Sequence, residues 1–266
     1  MQNMNSDEAS VQDPKCKCCG SDAQIIGFID FNKSCMDKPN ARIFPPSDLN
    51  IPYWCCSCCG FIFTNHMDSW SSNDFKNQIY NSEYILVDPP IPGRKDVPIR
   101  ETPSYLKGLF IASMVEGSEN EISILDFGSG GNPGPTGLAL IESGFKLHSY
   151  DPYRGSRSED LRDKFDLIIA VEVMEHCHNL AEVALFMNKY LGDNGVLWIE
   201  TALHAHPAPS NVLESWYISP RNGHISIFTA WALTFLFKDY GINIVQTPYA
   251  ILGFKKLPNF SNKMFI

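Results

Sequence analysis

The sequence has no apolar run of the length that a membrane-spanning helix needs, and it has no excess of positive charge. Lys and Arg number 21 against 30 Asp and Glu, which gives the 266-residue chain a formal net charge of −9. Phosphate backbones are bound mainly through Lys and Arg, so nucleic acid is disfavoured as a partner. A transmembrane helix needs about 20 apolar residues in succession. We therefore expect no membrane partner either.

A targeting signal is also missing from the N-terminal residues. MQNMNSDEASVQD is polar and acidic, whereas secretory and transit peptides combine positive charge with apolar or amphipathic stretches. We therefore expect a cytoplasmic protein. Disulfides are rare in that reducing compartment, so the nine cysteines indicate a metal site instead. The sequence contains no internal repeat and leaves the oligomeric state open.

Seven of the nine cysteines lie in two short clusters, and each cluster contains the pattern Cys-x-x-Cys-Gly. Two thiolates separated by two residues grip one face of a tetrahedral ion, and the glycine lets backbone amides turn toward the sulfurs. We predict a structural zinc site with four thiolate ligands, Cys16, Cys19, Cys56 and Cys59. A closed site of this kind has no open coordination position, so we assign it no chemistry.

The remaining clustered cysteines leave two alternatives open. Cys55 and Cys58 repeat the two-residue spacing in another register, and Cys18 is also not among the four predicted ligands. The glycines that follow Cys19 and Cys59 favour the first register. The alternative to a zinc site is a set of ordinary buried thiols.

Three segments of different character predict the domain organisation. Residues 14–66 hold the cysteines and the β-like runs AQIIGFID and FIFTN, and form the predicted zinc-binding module. Residues 67–118 contain DPPIPGRKDVP, which indicates a linker or helical lid. Residues 119–257 alternate strands with helices, which predicts a parallel, doubly wound α/β sheet of Rossmann-like type.

The predicted elements of this last segment follow from apolar patterning. The strands are EISILDFG, KLHSYD, FDLIIAVEV and GVLWIET, and the third is apolar almost throughout, as expected of a strand covered on both faces. The helices are TGLALIESG, ending at Gly144, LAEVALFMNKYLG, closed by Gly192, and WALTFLFKDYG. INIVQTPY and AILGFKK are predicted to form a closing antiparallel pair.

A glycine-rich turn, ILDFGSGGNPGPTG, connects the first strand of this segment to a helix. Glycines there let the backbone approach a ligand, and the helix N-terminus favours negative charge. Asp151 lies 25 residues after Asp126 and ends the next strand, where a carboxylate can accept hydrogen bonds from ribose hydroxyls. Nicotinamide dehydrogenases use a similar turn, so the turn alone does not identify the cofactor.

Two later segments decide between these cofactors. FDLIIAVEVMEHCHNLAEV and YLGDNGVLWIET, together with the glycine-rich turn, resemble the class I S-adenosylmethionine-dependent methyltransferase family over roughly residues 120–257. The resemblance implies a Rossmann-like fold, methyl transfer and S-adenosylmethionine as cofactor. It also implies the residues that would flank the methionine part and bind ribose, namely Asp126, Gly128, Ser129 and Gly130 for the first and Asp151 for the second.

Other cofactor contacts implied by the resemblance are less closely tied to a motif. Glu159 or Asp160 would lie near adenine, and Tyr84, with Tyr80, would cover the cofactor unless both tyrosines serve ordinary packing. One departure concerns the third glycine of the family motif, which falls on Asn132 here and is followed by proline. We therefore expect an unusual turn after Gly130. The alternative is a Rossmann-like domain that has lost its cofactor.

A second group of metal-ligating residue types occurs within VEVMEHC, at the end of a predicted strand. Glu172, Glu175 and His176 stand at positions i, i+3 and i+4, which share one face of a helical turn. Two carboxylates and an imidazole suit a divalent ion such as Mg²⁺, Mn²⁺ or Fe²⁺. The alternative is that the Glu-His pair only shapes the turn.

The Glu-x-x-Glu-His motif resembles two methyltransferase groups that bind a divalent metal with it. They are the small-RNA 3′-terminal 2′-O-methyltransferases and the quinone-biosynthesis O-methyltransferases. In the first group a downstream His completes the site, and His224 in RNGHISIFTAWAL occupies the matching place. By this resemblance His176 and His224 are catalytic. The metal would lower the pKa of an acceptor hydroxyl and orient it.

The sequence therefore predicts an O-methyltransferase acting on a hydroxylated small molecule or saccharide. His204 or His206, after strand GVLWIET, is a candidate general base, with solvated loop histidines as the alternative. Three rival functions stay open: 2′-O-methylation of an RNA 3′ end, methylation at carbon or nitrogen, and a non-catalytic binding protein that uses the zinc module as its interaction surface.

Overall fold

The computed structural model describes residues 13–35, 43–91, 94, 96–154, 156, 161, 164–258 and 264. The strands are β1 Ala23–Asp30, β2 Asn50–Cys56, β3 Ile62–Phe63, β4 Ser123–Phe127, β5 Lys146–Tyr150, β6 Phe165–Val171, β7 Leu191–Glu200, β8 Ser226–Ile227, β9 Asn243–Gln246 and β10 Ile251–Phe254. The α-helices are α1 Ser72–Gln78, α2 Tyr84–Val87, α3 Pro103–Met114, α4 Pro135–Glu142, α5 Leu180–Tyr190 and α6 Ala230–Phe237. The predicted adenine contacts Glu159 and Asp160 lie outside the described residues.

The larger sheet has six strands in the order β5-β4-β6-β7-β10-β9. The first four strands are parallel, and β10 pairs antiparallel with both β7 and β9. The parallel sheet and its closing antiparallel pair are thus as the sequence predicts. The carboxyl ends of parallel strands share one edge of the sheet, so residues that follow β4 to β7 are brought to that edge.

The two faces of this sheet are covered by different helices because successive side chains of a strand point to opposite faces. Leu125 and Ile168 pack toward the side that holds α5 and α6. Their neighbours Ile124 and Leu167 pack toward α3 and α4. Helices on both faces of a mostly parallel sheet give the Rossmann-like architecture.

One helix end differs from the prediction. The helix expected to close at Gly192 ends at Tyr190, and β7 begins at Leu191, which pairs with Phe165 of β6. Gly192 does not take the positive φ that closes a helix, whereas Gly144 does, with φ of +95° after α4. The pairing between β6 and β7 therefore begins earlier than the apolar pattern indicates.

The smaller sheet joins the N-terminal segment to the C-terminal half of the chain. Its strand order is β1-β2-β3-β8, and β3 pairs antiparallel with β8. Residues 14–66 thus share a sheet with residues 226–227 of the predicted catalytic segment. Strand β2 has no counterpart in the prediction and pairs with both β1 and β3.

The described residues between 67 and 118 include helices α1, α2 and α3. Helix α1 begins with a capping box in which Ser71 and Asp74 bond each other's backbone amides, and α3 begins with Pro103 after an N-cap threonine. Helix α3 packs against α4 beside the large sheet. No helix among the described residues is both long and apolar enough to cross a membrane.

Candidate functional site

The predicted zinc ligands converge in the N-terminal module. Cys16, Cys19, Cys56 and Cys59 offer sulfurs that all lie within 4.8 Å of one another. The Sγ atoms of Cys16 and Cys59 are 3.5 Å apart, and those of Cys19 and Cys56 are 3.4 Å apart. Hydrogen bonds from Cys18 and Cys59 lower the pKa of Cys16, while the hydrogen bond to Cys16 raises the pKa of Cys59. Without a cation, Cys16 is therefore the thiolate and Cys59 the thiol of this pair.

The two cysteine loops have the same local geometry. Gly20 and Gly60 both have φ of +74°, and each donates its N–H to the carbonyl of the first cysteine of its motif. The backbone N–H groups of Cys18 and Cys59 point at Sγ atoms, as expected of thiolate knuckles. Cys58 is exposed and lies outside the converging group.

The glycine-rich turn follows β4 and brings backbone close to neighbouring strands. Gly128 has φ of +74°, and a Cβ there would lie 2.5 Å from the Val173 side chain. Gly130 has φ of +64° with open space where a Cβ would be. A side chain is excluded at the first position by packing, while the second leaves room for a ligand.

The predicted departure at Asn132 is compensated two residues later. Gly134 is the N-cap of α4, and a Cβ on it would lie 1.8 Å from the carbonyl oxygen of Ser129. Because only glycine fits this close to Ser129, Gly134 takes the place of the third glycine of the family pattern. The sequence signal for it was the glycine immediately before Pro135.

Two buried carboxylates border this turn. Asp151 accepts hydrogen bonds from the N–H groups of Gly130 and Tyr153, both at 2.9 Å. Asp126 is 4% exposed, and its Oδ2 has no hydrogen-bond partner in the described part of the chain. Burial, then the charge of Asp151, raises the pKa of Asp126 to about 7. Asp126 thus has an unmet hydrogen-bonding capacity beside the turn.

Three of the four predicted divalent-metal ligands converge after β6. Glu175, His176 and His224 offer ligand atoms within 4.8 Å of one another. Glu175 and His176 lie in a 3₁₀ turn, Met174–His176, and Ile225, next to His224, donates its N–H to the carbonyl of Glu175 at 2.9 Å. This backbone hydrogen bond joins the two chain segments that carry the ligands.

The carboxylate of Glu175 is completely buried. Its Oε2 accepts a hydrogen bond from Thr201 at 2.9 Å, while its Oε1 has no hydrogen-bond partner among the described residues. Oε1 lies 3.8 Å from Nε2 of His176. Burial raises the pKa of Glu175, and burial lowers the pKa of His176. A buried carboxylate oxygen without a partner is costly unless a cation or donor meets it.

His224 is held in one tautomer by its backbone contact. Its Nδ1 lies 2.8 Å from the carbonyl oxygen of Tyr217, so Nδ1 carries the proton and donates it. Nε2 then has a free lone pair. Burial lowers the pKa of His224 well below its usual value, which keeps the ring neutral. A neutral imidazole whose other nitrogen donates to a carbonyl is the usual state of a metal-bound histidine.

Glu172, the fourth predicted ligand, is not part of this group. Its backbone has φ of +52° directly after β6, and its side chain lines the wall of a cavity. Desolvation, then the charge of Glu175, raises the pKa of Glu172 to about 8. The i, i+3, i+4 spacing assumes helical backbone throughout, and the left-handed residue at Glu172 breaks that assumption.

His204 and His206 lie beside the second cysteine loop. A Cβ on Gly60 would be 2.6 Å from Nδ1 of His206, and the backbone N–H of His204 donates to Phe228. Nδ1 of His204 donates to the carbonyl of Ala205 at 2.9 Å. These contacts are thus with the second cysteine loop and with neighbouring backbone.

Aromatic rings from the segment before α3 cover the space between the two sites. Tyr80 packs against Tyr153, which follows Asp151, with ring centroids 5.8 Å apart, and against His176 at 6.3 Å. Tyr84 packs on Tyr80 at 5.2 Å. Tyr80 therefore connects the segment that follows Asp151 to the candidate metal ligands Glu175, His176 and His224, which form the metal-ligand group. Tyr84 packs behind Tyr80.

A cavity of about 390 Å³ opens beside the metal-ligand group. Its wall includes Glu172, Thr201 and Tyr217, and the rest comes from residues 199–203, 216 and 246–251. The Oη of Tyr217 lies 3.0 Å from Oγ1 of Thr201, which in turn bonds Glu175. Sequence reasoning missed both residues. The position of Thr201 at a strand's carboxyl end was a usable signal, whereas Tyr217 stands in a loop without one.

Comparison with protein families agrees with this geometry. A family model described as a methyltransferase domain matches residues 100–247, which is more than half of the chain. The chain belongs to this methyltransferase family. The predicted class I S-adenosylmethionine-dependent methyltransferase is thus confirmed at the level of the family, without an acceptor. No curated protein matches the sequence.

Several solved structures resemble part of the chain. An O-methyltransferase family protein from Burkholderia thailandensis has 9% identity and a TM-score of 0.43, over 58% of this chain and 57% of its own. Human N-acetylserotonin methyltransferase, in complex with S-adenosylmethionine, has 14% identity and a TM-score of 0.41, over 57% and 52%. A calicheamicin-biosynthesis methyltransferase has 14% identity and a TM-score of 0.42, over 59% of this chain and 55% of its own. The chain thus spans just over half the length of these proteins.

Proposed function

We propose that the protein transfers a methyl group from S-adenosylmethionine to a hydroxyl oxygen of a small molecule or saccharide. Glu175, His176 and His224 would hold a divalent metal at the acceptor side. The observation that carries the proposal is the position of this ligand group between the glycine-rich turn and an open cavity, at one edge of a methyltransferase-family sheet.

The residues present fit a divalent ion. Oε1 of Glu175 is buried and has no hydrogen-bond partner in the part of the chain that the structure describes. The hydrogen bond from Nδ1 of His224 to Tyr217 leaves the lone pair on its Nε2 for a metal. One carboxylate and two neutral imidazoles suit Mn²⁺ or Fe²⁺ better than Mg²⁺, which prefers oxygen ligands. A cation there would also compensate the buried charge of Glu175.

The cofactor would occupy the turn after β4. The carboxylate of Asp151, which accepts the N–H of Gly130, would also accept hydrogen bonds from ribose hydroxyls. Oδ2 of Asp126, which has no partner among the described residues, would accept a hydrogen bond from the methionine part. Gly128, Ser129 and Gly130 provide the backbone against which that part would lie.

In the proposed reaction the acceptor oxygen attacks the methyl carbon in line with the sulfur. The carbon–oxygen bond forms as the carbon–sulfur bond breaks, and the electron pair stays on sulfur, which leaves S-adenosylhomocysteine. A bound metal would supply Lewis acidity toward the acceptor hydroxyl. Glu172 lines the cavity and would take the hydroxyl proton, since a raised pKa near 8 suits a general base at neutral pH. His204 and His206, beside the zinc module, are less well placed for this role.

An isosteric variant tests the metal site. Glu175→Gln keeps an acceptor for Thr201 and removes the buried charge, so we expect Mn²⁺ affinity to fall at least about tenfold. We also expect the thermal midpoint of the metal-free protein to stay equal or rise, because an unpaired buried charge is removed. Calorimetric titration with MnCl₂ and thermal denaturation measure the two effects.

Glu182→Gln is the matched control, because Glu182 is exposed in the first turn of α5. It should leave Mn²⁺ affinity unchanged. Equal Mn²⁺ affinity in wild type and Glu175→Gln would contradict the metal site, while methyl transfer would then need another activation.

A further inference from the structure

The cavity beside the metal-ligand group has polar groups around its wall and exposed aromatic rings at its rim. Trp216 is 50% exposed and Tyr249 is 46% exposed. Trp216 packs against Tyr217 and Tyr249 packs against Phe110, both pairs with ring centroids 5.3 Å apart. Rings that are held in place and half exposed are suited to pack against the flat, apolar face of a ligand ring.

The polar part of the cavity wall consists mainly of hydrogen-bond acceptors and hydroxyls. Glu172, Glu200, Thr201, Gln246 and Thr247 line it. A phenol offers one or two hydroxyls to such a wall, whereas a sugar ring offers several around its edge. Carboxylates and amides accept hydrogen bonds from hydroxyls, and ligand pockets fix orientation through a few such groups.

The same wall lacks a group that would neutralise an anion. None of the residues that line the cavity is Lys or Arg, and all of them belong to the described part of the chain. Lys107 lies outside the wall and is paired with Glu200, one of the lining residues. Glu200 also accepts a hydrogen bond from Nε1 of Trp198 at 2.6 Å. A phosphate or carboxylate held against this wall would thus meet the carboxyl groups of Glu172 and Glu200 and no Lys or Arg side chain.

We infer that the acceptor is an uncharged saccharide whose ring stacks on Trp216 while its hydroxyls bond the cavity wall. This inference rests on the proposed function and narrows it from hydroxylated compounds in general to neutral sugars. The volume of about 390 Å³ lies in the range of small-molecule pockets, roughly 300–1,000 Å³. Trp216 is then the residue that decides acceptor specificity.

Binding of simple probes tests the inference without requiring turnover. The probes are the methyl glycosides of glucose, galactose and mannose, with glucose 6-phosphate as anion, glucosamine as cation and catechol as phenol. Saturation-transfer NMR in the presence of S-adenosylhomocysteine measures their affinities. We expect at least one methyl glycoside to bind more tightly than all three comparison probes, and Trp216→Ala to weaken it at least about fivefold.

Trp231→Ala is the matched control, since Trp231 is 61% exposed on α6 and does not line the cavity. It should leave glycoside binding unchanged. Tighter binding of the phosphate, the amine or catechol overturns the inference, as does binding of no glycoside or an equal effect of both tryptophan variants. Failure of S-adenosylhomocysteine itself to bind would instead overturn the proposed function.

Discussion

Asp126, a single carboxylate beside the glycine-rich turn, makes the stability of the folded protein depend on pH. It is buried with one unpartnered oxygen, and burial, then the charge of Asp151, raises its pKa to about 7. A carboxyl group in the unfolded chain titrates near ~3.9. The folded protein therefore keeps a proton that the unfolded chain releases between these values. The stability that Asp126 contributes is complete below ~3.9 and is lost as the pH rises through about 7.

Asp126→Asn should remove this pH dependence, because asparagine resembles the protonated acid at every pH. We expect the thermal midpoint of the variant to exceed that of the wild type by more at pH 8 than at pH 5. Thermal denaturation of both proteins at the two pH values measures the difference. Asp239→Asn, at an exposed position, serves as control. Equal destabilisation by Asp126→Asn at both values would contradict the assignment.

At the residue scale, the sequence predicts side chains that are brought together by short sequence spacing. It does not predict side chains whose direction depends on an unusual backbone conformation. The cysteine register follows from two short motifs, and the four sulfurs converge as the spacing indicates. Glu175 and His176 are adjacent, so their convergence also follows from local structure. Glu172 escapes the prediction because its left-handed backbone, φ of +52°, has no signal in a glutamate.

At the element scale, the pairing of β3 with β8 connects the cysteine site to the metal-ligand group. Strand β8 begins two residues after His224, and the hydroxyl of Tyr53 in β2 donates to the carbonyl of His224 at 2.9 Å. Thr64 donates its N–H to Ile225 at 3.1 Å, and Thr229 donates its hydroxyl to Cys59 at 2.6 Å. The N-terminal module that holds the cysteines thus supports the chain segment that positions His224.

This support gives the proposed zinc a measurable effect at a distance. We expect the wild type to carry about one zinc per chain, and the Cys56→Ser/Cys59→Ser double variant to lose it. Because β3 adjoins that loop, the double variant should also bind Mn²⁺ at least about tenfold more weakly. Elemental analysis and calorimetry measure the two quantities.

Cys58→Ser is the matched control, because Cys58 is exposed and outside the converging sulfurs. It should retain both zinc and Mn²⁺ affinity. A zinc-free double variant that binds Mn²⁺ like the wild type would show that the two sites are independent. Full zinc content in that variant would refute the register.

The parallel, doubly wound architecture of the large sheet was predictable, because alternating strands and helices restrict the possible connections strongly. The smaller sheet was not, since β2 carries no strict alternation and β3 and β8 are two residues each. Their pairing joins segments more than 160 residues apart, 62–63 with 226–227. Long-range contacts of such short strands depend on tertiary packing rather than on local pattern.

At the scale of the whole molecule, the parallel strands bring the candidate site residues to one edge of the large sheet. The carboxyl ends of β4, β5, β6 and β7 are followed by the glycine-rich turn, Asp151, the metal-ligand turn and Thr201. Helix α1 and the tyrosines after it cover this edge through Tyr80 and Tyr153. The cofactor, the methyl acceptor and the proposed metal would therefore meet where the sheet topology places them.

Binding of S-adenosylmethionine tests this account most directly, and isothermal titration calorimetry measures it. We expect the wild type to bind S-adenosylmethionine and not NAD. Asp151→Asn should weaken binding by about 10- to 100-fold, because a charge-assisted hydrogen bond to ribose contributes about 1.5–3 kcal/mol. The exposed control Asp239→Asn should bind like the wild type. Binding of NAD without S-adenosylmethionine, or unchanged affinity in Asp151→Asn, would contradict the account.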